Sequence, residues 1–391
     1  MADAVEDQRK AAPPALDIRE GEGTAARASS QPGSRGRRGW GAVSGAWRAY
    51  PLLLLAIALA VAIVLAGAIG SVAVSPLHTT KILLNQTRLF HFRATWPAYE
   101  EVILLRVRMP RVIGAALVGA GLGLSGTLFQ GLLRNPLADP LLLGTSAGAA
   151  LGATIAFAVP SLFAVEWLGF GMVAGLAFIG ALVAVTLVYR LASSHGHTPV
   201  VTLLLAGVAV SAVLAAGQTL LITLNSRLAL RLGSLYLWSS GGVNVQSWTE
   251  IEIIAVLVGC GLCASVWLAP ALDAFALGEE MAAHLGVNVE RAKLAFVAVA
   301  SLLVAAAVSI SGLVGFVGLV APHVCRITLG PRHRLLAPAA TLTGALFVVV
   351  ADLLARRLVA PSEIPLGVIT ALVGGPFFLA LLRQSGSRYR W

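Results

Sequence analysis

The sequence contains little charge and almost no lysine. Charged residues make up 12% of its 391 residues, whereas ordinary globular proteins carry about 25%. Of its 28 basic residues only Lys10, Lys81 and Lys293 are lysines, and none of them precedes serine or threonine. A Walker A loop requires that dipeptide to hold phosphate and Mg²⁺. The chain therefore cannot bind ATP through a P-loop.

Cysteine is also scarce, which excludes a disulfide framework. Cys260 and Cys263 form a C-x-x-C pair, but the surrounding segment is apolar and no second pair of ligands accompanies them. Cys325 stands alone. We therefore predict three buried cysteines that act as small hydrophobic side chains, with no metal site and no cofactor.

Apolar residues are abundant, at 58% of the chain. About ten windows reach the length of about 20 residues that a helix needs to cross a bilayer. Their centres lie near residues 62, 120, 150, 180, 212, 258, 301, 320, 346 and 374. The predicted fold is an all-α polytopic membrane protein with about ten transmembrane helices and short connecting loops.

Residues 108–152 combine two apolar segments with a polar elbow. Val112–Leu133 carries no charge and is rich in glycine, as expected of a helix that packs closely against its neighbours. The elbow, Asn135–Pro140, contains two prolines that exclude a continuous helix. A second helix of small residues follows from Leu141. Two spans joined by a rigid polar elbow fit the wall of a conduit better than a lipid anchor.

Charge and composition predict the domain limits and the orientation. Residues 1–46 are polar and lack an apolar period, which predicts a disordered cytoplasmic tail. The transmembrane domain then covers residues 47–385, and residues 386–391 form a cytoplasmic C-terminal tail. Arginines in the short loops between spans predict that both termini are cytoplasmic. They also explain the net charge of +10, so the composition does not predict a nucleic-acid partner.

Two groups of arginines break this orientation rule. Arg106, Arg108 and Arg111 precede the second span, and Arg356 and Arg357 follow the ninth, all on the predicted external side. Arginines at the end of a helix can reach the interface at little cost, so snorkelling is one interpretation. Because the arginines recur at the mouths of two different spans, we favour an external basic rim that binds an acidic partner.

Residues 269–293 form the only long internal loop, and it is acidic. Glu279 and Glu280 are expected in the first turn of a short helix, where the helix dipole favours negative charge. His284 lies in its last turn, and Gly286 occupies the position of a left-handed cap. Because helices of this size seldom persist alone, the pattern indicates a lever that binds a partner. A solvated loop with one helical turn is the alternative.

Three further local features are predicted. A short external helix near Leu228–Leu237 lies over the mouth of a cavity, with a plain loop as the alternative. Gly312–Gly318 interrupts the helical pattern between the seventh and eighth spans. Asp352 and Arg356 are four residues apart, so they share a helix face and are expected to pair.

Several motifs occur in an order that resembles one family of membrane proteins. They are MPR, LVGAGLGLSG, FQGLLRNPLADP, LLGTSAGAALGA, LLLAGVAVSA, LGEEMAAHLGVN, GLVGFVGLVAPH and EIPLGVITALVGGPFF. Together they resemble the FecCD-type permease subunits of ABC importers for iron-siderophore complexes, haem and cobalamin, over residues 50–385. The resemblance implies a non-catalytic subunit in the plasma (inner) membrane. It also implies a homodimer of this chain that works with two copies of a separate ATP-binding cassette ATPase subunit and an extracytoplasmic solute-binding protein.

The resemblance also implies roles for particular residues. Arg108, Arg111 and Arg356 match arginines that face acidic residues on the two lobes of the binding protein. The loop helix matches the coupling helix that enters a groove of the ATPase. Its implied coupling residues are Leu277, Gly278, Glu279, Glu280, Ala283, Leu285 and Gly286. The gate region matches Thr198, Pro199, Val200 and Val201, although the family often has hydroxyl residues where this chain has the two valines.

The sequence leaves open the identity of the cargo and two other classes of function. Ferric siderophore is expected as the family's commonest cargo, with haem or cobalamin as alternatives. An ion-coupled secondary transporter would need ionisable residues in the middle of the membrane. An intramembrane serine protease is a third class, because residues 123–126 read G-x-S-G, but it would need a base within hydrogen-bond reach of Ser125.

Overall fold

The structure is a computed structural model that describes residues 40–70, 72–87, 90–159, 166–167, 170–194, 197–245 and 247–386. Within these residues the chain is almost entirely helical. The first half contains α1 (Trp40–Ala68), α2 (Pro76–Gln86), α3 (Ala98–Val102), α4 (Met109–Leu132), α5 (Thr145–Ala158), α6 (Met172–Ala192) and α7 (Val200–Leu224). A π-helical segment, Ile103–Arg108, joins α3 to α4, and a 3₁₀ turn, Pro140–Leu143, precedes α5.

The second half is also helical. It contains α8 (Ser226–Ala229), α9 (Leu232–Ser239), α10 (Trp248–Phe275), α11 (Glu279–His284), α12 (Val289–Ser311), α13 (Val317–Leu329), α14 (His333–Arg357) and α15 (Leu366–Gly386). One sheet occurs among the described residues, an antiparallel pair of two-residue strands, β1 (Glu166–Trp167) and β2 (Phe170–Gly171).

Ten apolar helices correspond to the ten predicted spans. Eight helical segments in the described part of the chain are long and apolar enough to cross a membrane. They are Tyr50–Ala68, Ala98–Leu132, α6, α7, α10, α12, α14 and Leu366–Arg383. Helices α5 and α13 are apolar but shorter. Each predicted centre falls within one of these ten helices, which confirms the predicted all-α polytopic membrane fold.

The limits of three segments differ from the predicted ones. Helix α1 begins at Trp40, whereas the predicted tail extends to residue 46, and the tail's residues 1–39 lie outside the described residues. At the other end α15 includes Gly386, and residues 387–391 of the predicted C-terminal tail also lie outside them. The second span continues N-terminally to Ala98 rather than starting at Val112. Its helix continues through Arg108 and Arg111 because both side chains find partners inside the protein.

Helix α4 is the centre of the bundle. Nearly every residue of α4 is buried, and the helix packs against α10, α12, α13 and α14. Gly119 lies against the backbone of Gly344 in α14, and Gly126 lies against the backbone of Gly318 in α13. A Cβ atom at either α4 glycine would overlap the neighbouring backbone. The glycines therefore permit the close helix packing that their spacing predicts.

The elbow after α4 is held by its own polar side chains. Asn135 accepts a hydrogen bond from the backbone N–H of Leu137 (2.9 Å), and Asp139 accepts one from Leu141 (2.9 Å) at the start of the 3₁₀ turn. Burial raises the pKa of the Asp139 carboxyl, and backbone hydrogen bonds from Leu141 and Phe316 oppose that rise. The bond with Phe316 ties the elbow to the turn before α13, so the elbow is a fixed part of the fold.

The predicted break after α12 and the predicted burial of Cys325 are found. The predicted single short helix and the predicted burial of the other two cysteines need correction. Helix α12 ends at Ser311 and Gly312 has a φ of +61°, so the chain breaks where predicted. The short helix expected near Leu228–Leu237 is two helices, α8 and α9. Cys325 is buried, but Cys260 and Cys263 are exposed. The prediction of burial is wrong for these two because a membrane helix is apolar on its outer face as well as on its packed face.

Candidate functional sites

The bundle has two ends that carry different polar clusters. One end, which we name the arginine end, holds the N-terminus of α4 and the C-terminus of α14. The opposite end, which we name the α11 end, holds α11 and the N-termini of α7, α12 and α14. The residues predicted to bind partners are divided between these ends.

Arg108 lies at the arginine end and is buried, at 7% exposure. Its guanidinium donates hydrogen bonds to the carbonyl oxygens of Gly67 (2.9 Å), Ala68 (3.2 Å) and Val72. The last carbonyl groups of a helix lack partners within it, and a cation near them is favoured by the helix dipole. Arg108 therefore closes the end of α1. Little of its side chain reaches the surface, and its role in binding a partner stays a prediction.

Arg111 and Arg356 share one buried carboxylate. Asp352, 1% exposed, accepts from Arg111 Nε through Oδ1 (3.0 Å) and from Arg356 Nε through Oδ2 (2.9 Å). Arg111 also contacts the more exposed Glu363 (2.9 Å), and Arg356 donates to the carbonyl of Ala66 (3.4 Å). The predicted Asp352–Arg356 pair is confirmed. It belongs to a network that joins α1, α4, α14 and the segment before α15.

These arginines form the wall of a pocket of about 240 Å³, which we name the arginine pocket. Its lining includes four arginines (Arg108, Arg111, Arg356 and Arg357) and one carboxylate, Glu363. Arg357 is exposed and donates to the carbonyl of Gly70 (3.2 Å). Asp352 and Glu363 offset two of the four guanidinium charges, so the balance stays positive, which is suited to an acidic side chain.

A larger cavity of about 460 Å³ adjoins the arginine pocket. The two share Arg111 and Glu363, and the cavity continues between Phe157 of α5 and Trp238 of α9. Helix α9 thus lies over a cavity, in the arrangement expected for the short helix at this place in the sequence. The mixture of aromatic and charged walls can hold an amphipathic ligand.

At the α11 end, α11 has the geometry that its sequence predicts. Glu279 and Glu280 occupy its first turn and His284 its last. Gly286 follows with a φ of +86° and Gly278 precedes with a φ of +111°, values that L side chains rarely adopt. The helix is therefore bounded by glycine at both ends.

Exposed apolar residues lie within α11 and on both sides of it. Leu277 precedes the helix, Met281 lies in it and Leu285 follows it, and all three are exposed. Beside Leu277 and Met281 a groove of about 570 Å³ is lined by Arg134, just before the elbow, and by Glu279, Glu280 and His284. Exposed apolar residues rimmed by charged ones are typical of a surface that binds a protein partner.

Lys293 connects α11 to the segment before α7. Its ammonium group, with the side chain 5% exposed, lies 2.6 Å from Glu279 Oε2 and 3.2 Å from Glu290 Oε1. It also donates to the carbonyl oxygen of Thr198 (3.0 Å). The backbone N–H of Thr198 donates to Glu290 Oε2 (3.1 Å). This set of residues, which we name the Lys293 cluster, brings predicted coupling and gate residues into one network.

The predicted gate region lies at the N-terminus of α7. Thr198 is buried, Pro199 is the N-cap residue, and Val200 and Val201 form the first turn. Most of α7 is exposed, since only Leu203, Gly207 and Val210 are buried along its length. An apolar helix with so little packing inside one chain must meet lipid, another protein chain or a translocation path.

Residues that the sequence reasoning did not assign also belong to these sites. Met281 and Arg134 complete the α11 surface, and Lys293 and Glu290 complete the cluster beside it. The signal for the last two was present, because a glutamate and a lysine three residues apart at the start of a helix are expected to pair. Their contacts with Glu279 and Thr198 join distant segments and carry no sequence signal.

The residues proposed for a protease do not come together. The Ser125 hydroxyl is buried and has no hydrogen-bond partner among the described residues. The ring of His323 instead packs edge-on against Phe377 at 5.9 Å. No base therefore reaches this serine, and the G-x-S-G sequence serves the close packing of α4. The described residues also contain no group of three His, Cys, Asp or Glu side chains placed to hold a metal ion.

Known proteins resemble the chain over most of its length. The FecCD transport family matches residues 55–384. A cobalamin import system permease protein of Halobacterium salinarum is 43% identical over 288 residues, covering 74% of this chain and 75% of that protein. A hemin transport system permease protein of Yersinia pestis is 44% identical over 291 residues, covering 73% and 85%. An Fe(3+)-citrate import system permease protein of Bacillus subtilis is 33% identical over 332 residues, covering 85% and 94%.

A solved structure also shares the fold. It is described as an inward-facing conformation of a metal-chelate type ABC transporter, and it superposes with a TM-score of 0.71 at 27% identity. The match covers 85% of this chain and 98% of that chain.

Proposed function

The chain belongs to the FecCD transport family, and from this we propose that it is the membrane permease subunit of an ABC importer for an iron complex. The observation that carries the proposal is the family match over residues 55–384, together with a helix at the α11 end that is shaped to bind a partner. ATP hydrolysis is assigned to a separate ATPase subunit, because this sequence has no P-loop lysine.

We assign the α11 surface to the ATPase. Exposed Leu277, Met281 and Leu285 supply apolar area, and Glu279 and Glu280 supply charge beside them. The capped geometry supports the assignment, because an ordered helix loses less conformational entropy on docking than a flexible loop does. Two copies of the ATPase are expected, one for each permease of a homodimer.

We assign the arginine end to an extracytoplasmic solute-binding protein. The positive lining of the arginine pocket supports an acidic contact from that partner. Arg111, Arg356 and the more exposed Arg357 can offer guanidinium groups to it, whereas Arg108 acts by holding the end of α1. This assignment places the arginine end outside the cell and the α11 end in the cytoplasm, with the protein in the inner membrane.

We propose that cargo moves along the exposed face of α7 between two copies of this chain. Thr202, Ala209, Ala212 and Ala216 lie on that face and are exposed, and their small side chains leave room for a bulky ligand. Thr198, Pro199, Val200 and Val201 stand at the α11 end of the same helix, where a cytoplasmic gate would close the path.

A ferric siderophore is the proposed cargo. Relatives named for Fe(3+)-citrate and iron(3+)-hydroxamate import support iron complexes, while those named for cobalamin and hemin define the two alternatives. An ion-coupled transporter is less well supported. Asp352, the acidic residue nearest to the middle of a span, has an arginine on each carboxylate oxygen and is not free to carry a proton.

The proposal is tested by reconstituting the full chain with its co-purifying ATPase in liposomes. Uptake of radiolabelled ferric hydroxamate, ferric citrate, haemin and cyanocobalamin is then measured with and without ATP and binding protein. We expect ATP-dependent uptake of a ferric complex. If only cyanocobalamin or only haemin were taken up, that compound would replace ferric siderophore as the proposed cargo. Uptake driven by a proton or sodium gradient without ATP would contradict the proposed ABC importer function.

A further inference from the structure

Lys293 has three close polar partners. Its ammonium group donates hydrogen bonds to Glu290 Oε1 (3.2 Å) and to the carbonyl oxygen of Thr198 (3.0 Å), and it forms an ion pair with Glu279 Oε2 at 2.6 Å. The group is held from three directions, so it cannot follow one neighbour without pulling on the other two.

The three partners belong to three different parts of the fold. Glu279 is the first residue of α11, Glu290 lies in the first turn of α12, and Thr198 is two residues before α7. Glu290 also accepts from the N–H of Thr198 (3.1 Å), so both polar groups of the Thr198 backbone are bound by the cluster. A displacement of α11 therefore has a continuous polar connection to the start of α7.

Stability alone does not account for this arrangement. Replacing a buried ion pair by apolar residues of similar size is often neutral or stabilising, whereas polar groups that satisfy one another fix a unique geometry. The neighbouring contacts between α11 and the body of the chain include apolar ones, such as buried Ala282, which hold the helix but do not reach Thr198.

We propose that Lys293 is a positioning residue that transmits movement of α11 to the N-terminus of α7, and so couples ATPase docking to the gate. This inference rests on the proposed function. It adds a specific connection between the docking helix α11 and the gate region, which are separate motifs in the sequence.

The test uses the full chain with its ATPase in liposomes and compares Lys293→Met with the wild type. Methionine keeps the length of the side chain but has no N–H donors. We expect ATPase assembly and ATP hydrolysis to persist while cargo imported per ATP falls by at least about fivefold, the lower range of measured coupling between sites. In the chain alone, amide hydrogen exchange over residues 198–203 should be faster. Lys293→Arg, which keeps the charge, should restore part of the import ratio.

The control is Asp273→Ala. Asp273 and His333 also form a 2.6 Å ion pair at the α11 end, but that pair joins α10 to α14 and does not touch α7. We expect its import ratio to equal that of the wild type. If Lys293→Met does not fold, Glu290→Gln weakens the contacts with Lys293 and the N–H of Thr198, lies outside the surface assigned to the ATPase, and should shift the ratio in the same direction.

The outcomes separate this inference from the function on which it rests. A wild-type complex that neither hydrolyses ATP nor imports any of the four cargoes rejects the proposed function. A working wild type with an unchanged import ratio in Lys293→Met overturns only the coupling role. Loss of ATPase assembly in that variant also overturns it, because Lys293 would then support docking rather than transmission.

Discussion

At the scale of single residues, most charged side chains at the arginine end already bind groups within the chain, so they hold its helices together as well as facing any partner. Arg108 closes the end of α1, and Asp352 binds Arg111 and Arg356 at once. Charge reversal at these positions would therefore disturb the fold as well as any docking. Arg357, which is exposed and has no role in the Asp352 network, is the better probe of an external partner.

Asp352 and Glu363 provide a matched test of burial. Both contact Arg111, but Asp352 is 1% exposed and Glu363 is 52% exposed. Removing one partner of a buried pair costs about 3–5 kcal/mol because the other charge is left uncompensated, whereas exposed pairs contribute about 0–1 kcal/mol. We expect Asp352→Asn to lower the thermal midpoint of the purified protein clearly and Glu363→Gln to leave it nearly unchanged. Equal shifts would contradict this account of the network.

At the scale of helices, the glycines of α4 set how closely its neighbours approach. Gly126 faces the backbone of Gly318, whereas a Cβ at Gly121 would meet Leu303 at an ordinary contact distance of 3.4 Å. Overpacking costs about 1–3 kcal/mol and sometimes more. We expect Gly126→Ala to destabilise the fold and Gly121→Ala to be tolerated, as measured by thermal unfolding in detergent. Tolerance of both would show that α13 can shift away from α4.

Helix α11 depends on the backbone at Gly286. That residue has a φ of +86°, and no neighbouring atom lies within 4 Å of the position of an added Cβ. Space is therefore not limiting and only conformation is tested. Asparagine tolerates left-handed φ values far better than β-branched residues do. We expect Gly286→Val to weaken ATPase association in a pull-down while Gly286→Asn retains it, with membrane insertion unchanged in both. Normal association of the valine variant would mean that the ATPase docks elsewhere.

The elements could be predicted from the sequence more fully than their contacts. The ten apolar helices, eight of them long enough to cross a membrane, followed from hydrophobic length. Helix α11 followed from acidic residues at its start and Gly286 at its end. These signals are local. The burial of Arg108 and the reach of Lys293 to Thr198 depend on segments far apart in the chain, which single-residue propensities do not encode. Exposed Cys260 and Cys263 show the same limit, because hydrophobicity identifies a span but not which of its faces is packed.

At the scale of the whole molecule, the positive charge at the arginine end should steer an acidic partner. Arg357→Glu reverses an exposed charge on the arginine pocket, and a screened interaction extends about 10 Å at 0.1 M salt. We expect slower association of the solute-binding protein, with a larger effect at low than at high ionic strength. Surface plasmon resonance at several salt concentrations measures this. The matched Arg106→Glu variant, also exposed at this end but outside the pocket, should have a smaller effect.

The orientation of the bundle gives the last prediction. Tyr99 at the arginine end and Met281 at the α11 end are both well exposed, at 56% and 50%, so a cysteine at either position should be equally accessible to a reagent on its own side. The three native cysteines are replaced by alanine, and a membrane-impermeant maleimide is added to right-side-out and to inverted vesicles. The positive-inside rule predicts that the loops at the α11 end, which carry arginines of their own, stay in the cytoplasm. In that case Tyr99→Cys reacts in right-side-out vesicles and Met281→Cys only in inverted ones. The reverse pattern would place α11 outside the cell, beyond the reach of any cytoplasmic ATPase, and both the coupling surface and the Lys293 connection would lose their basis.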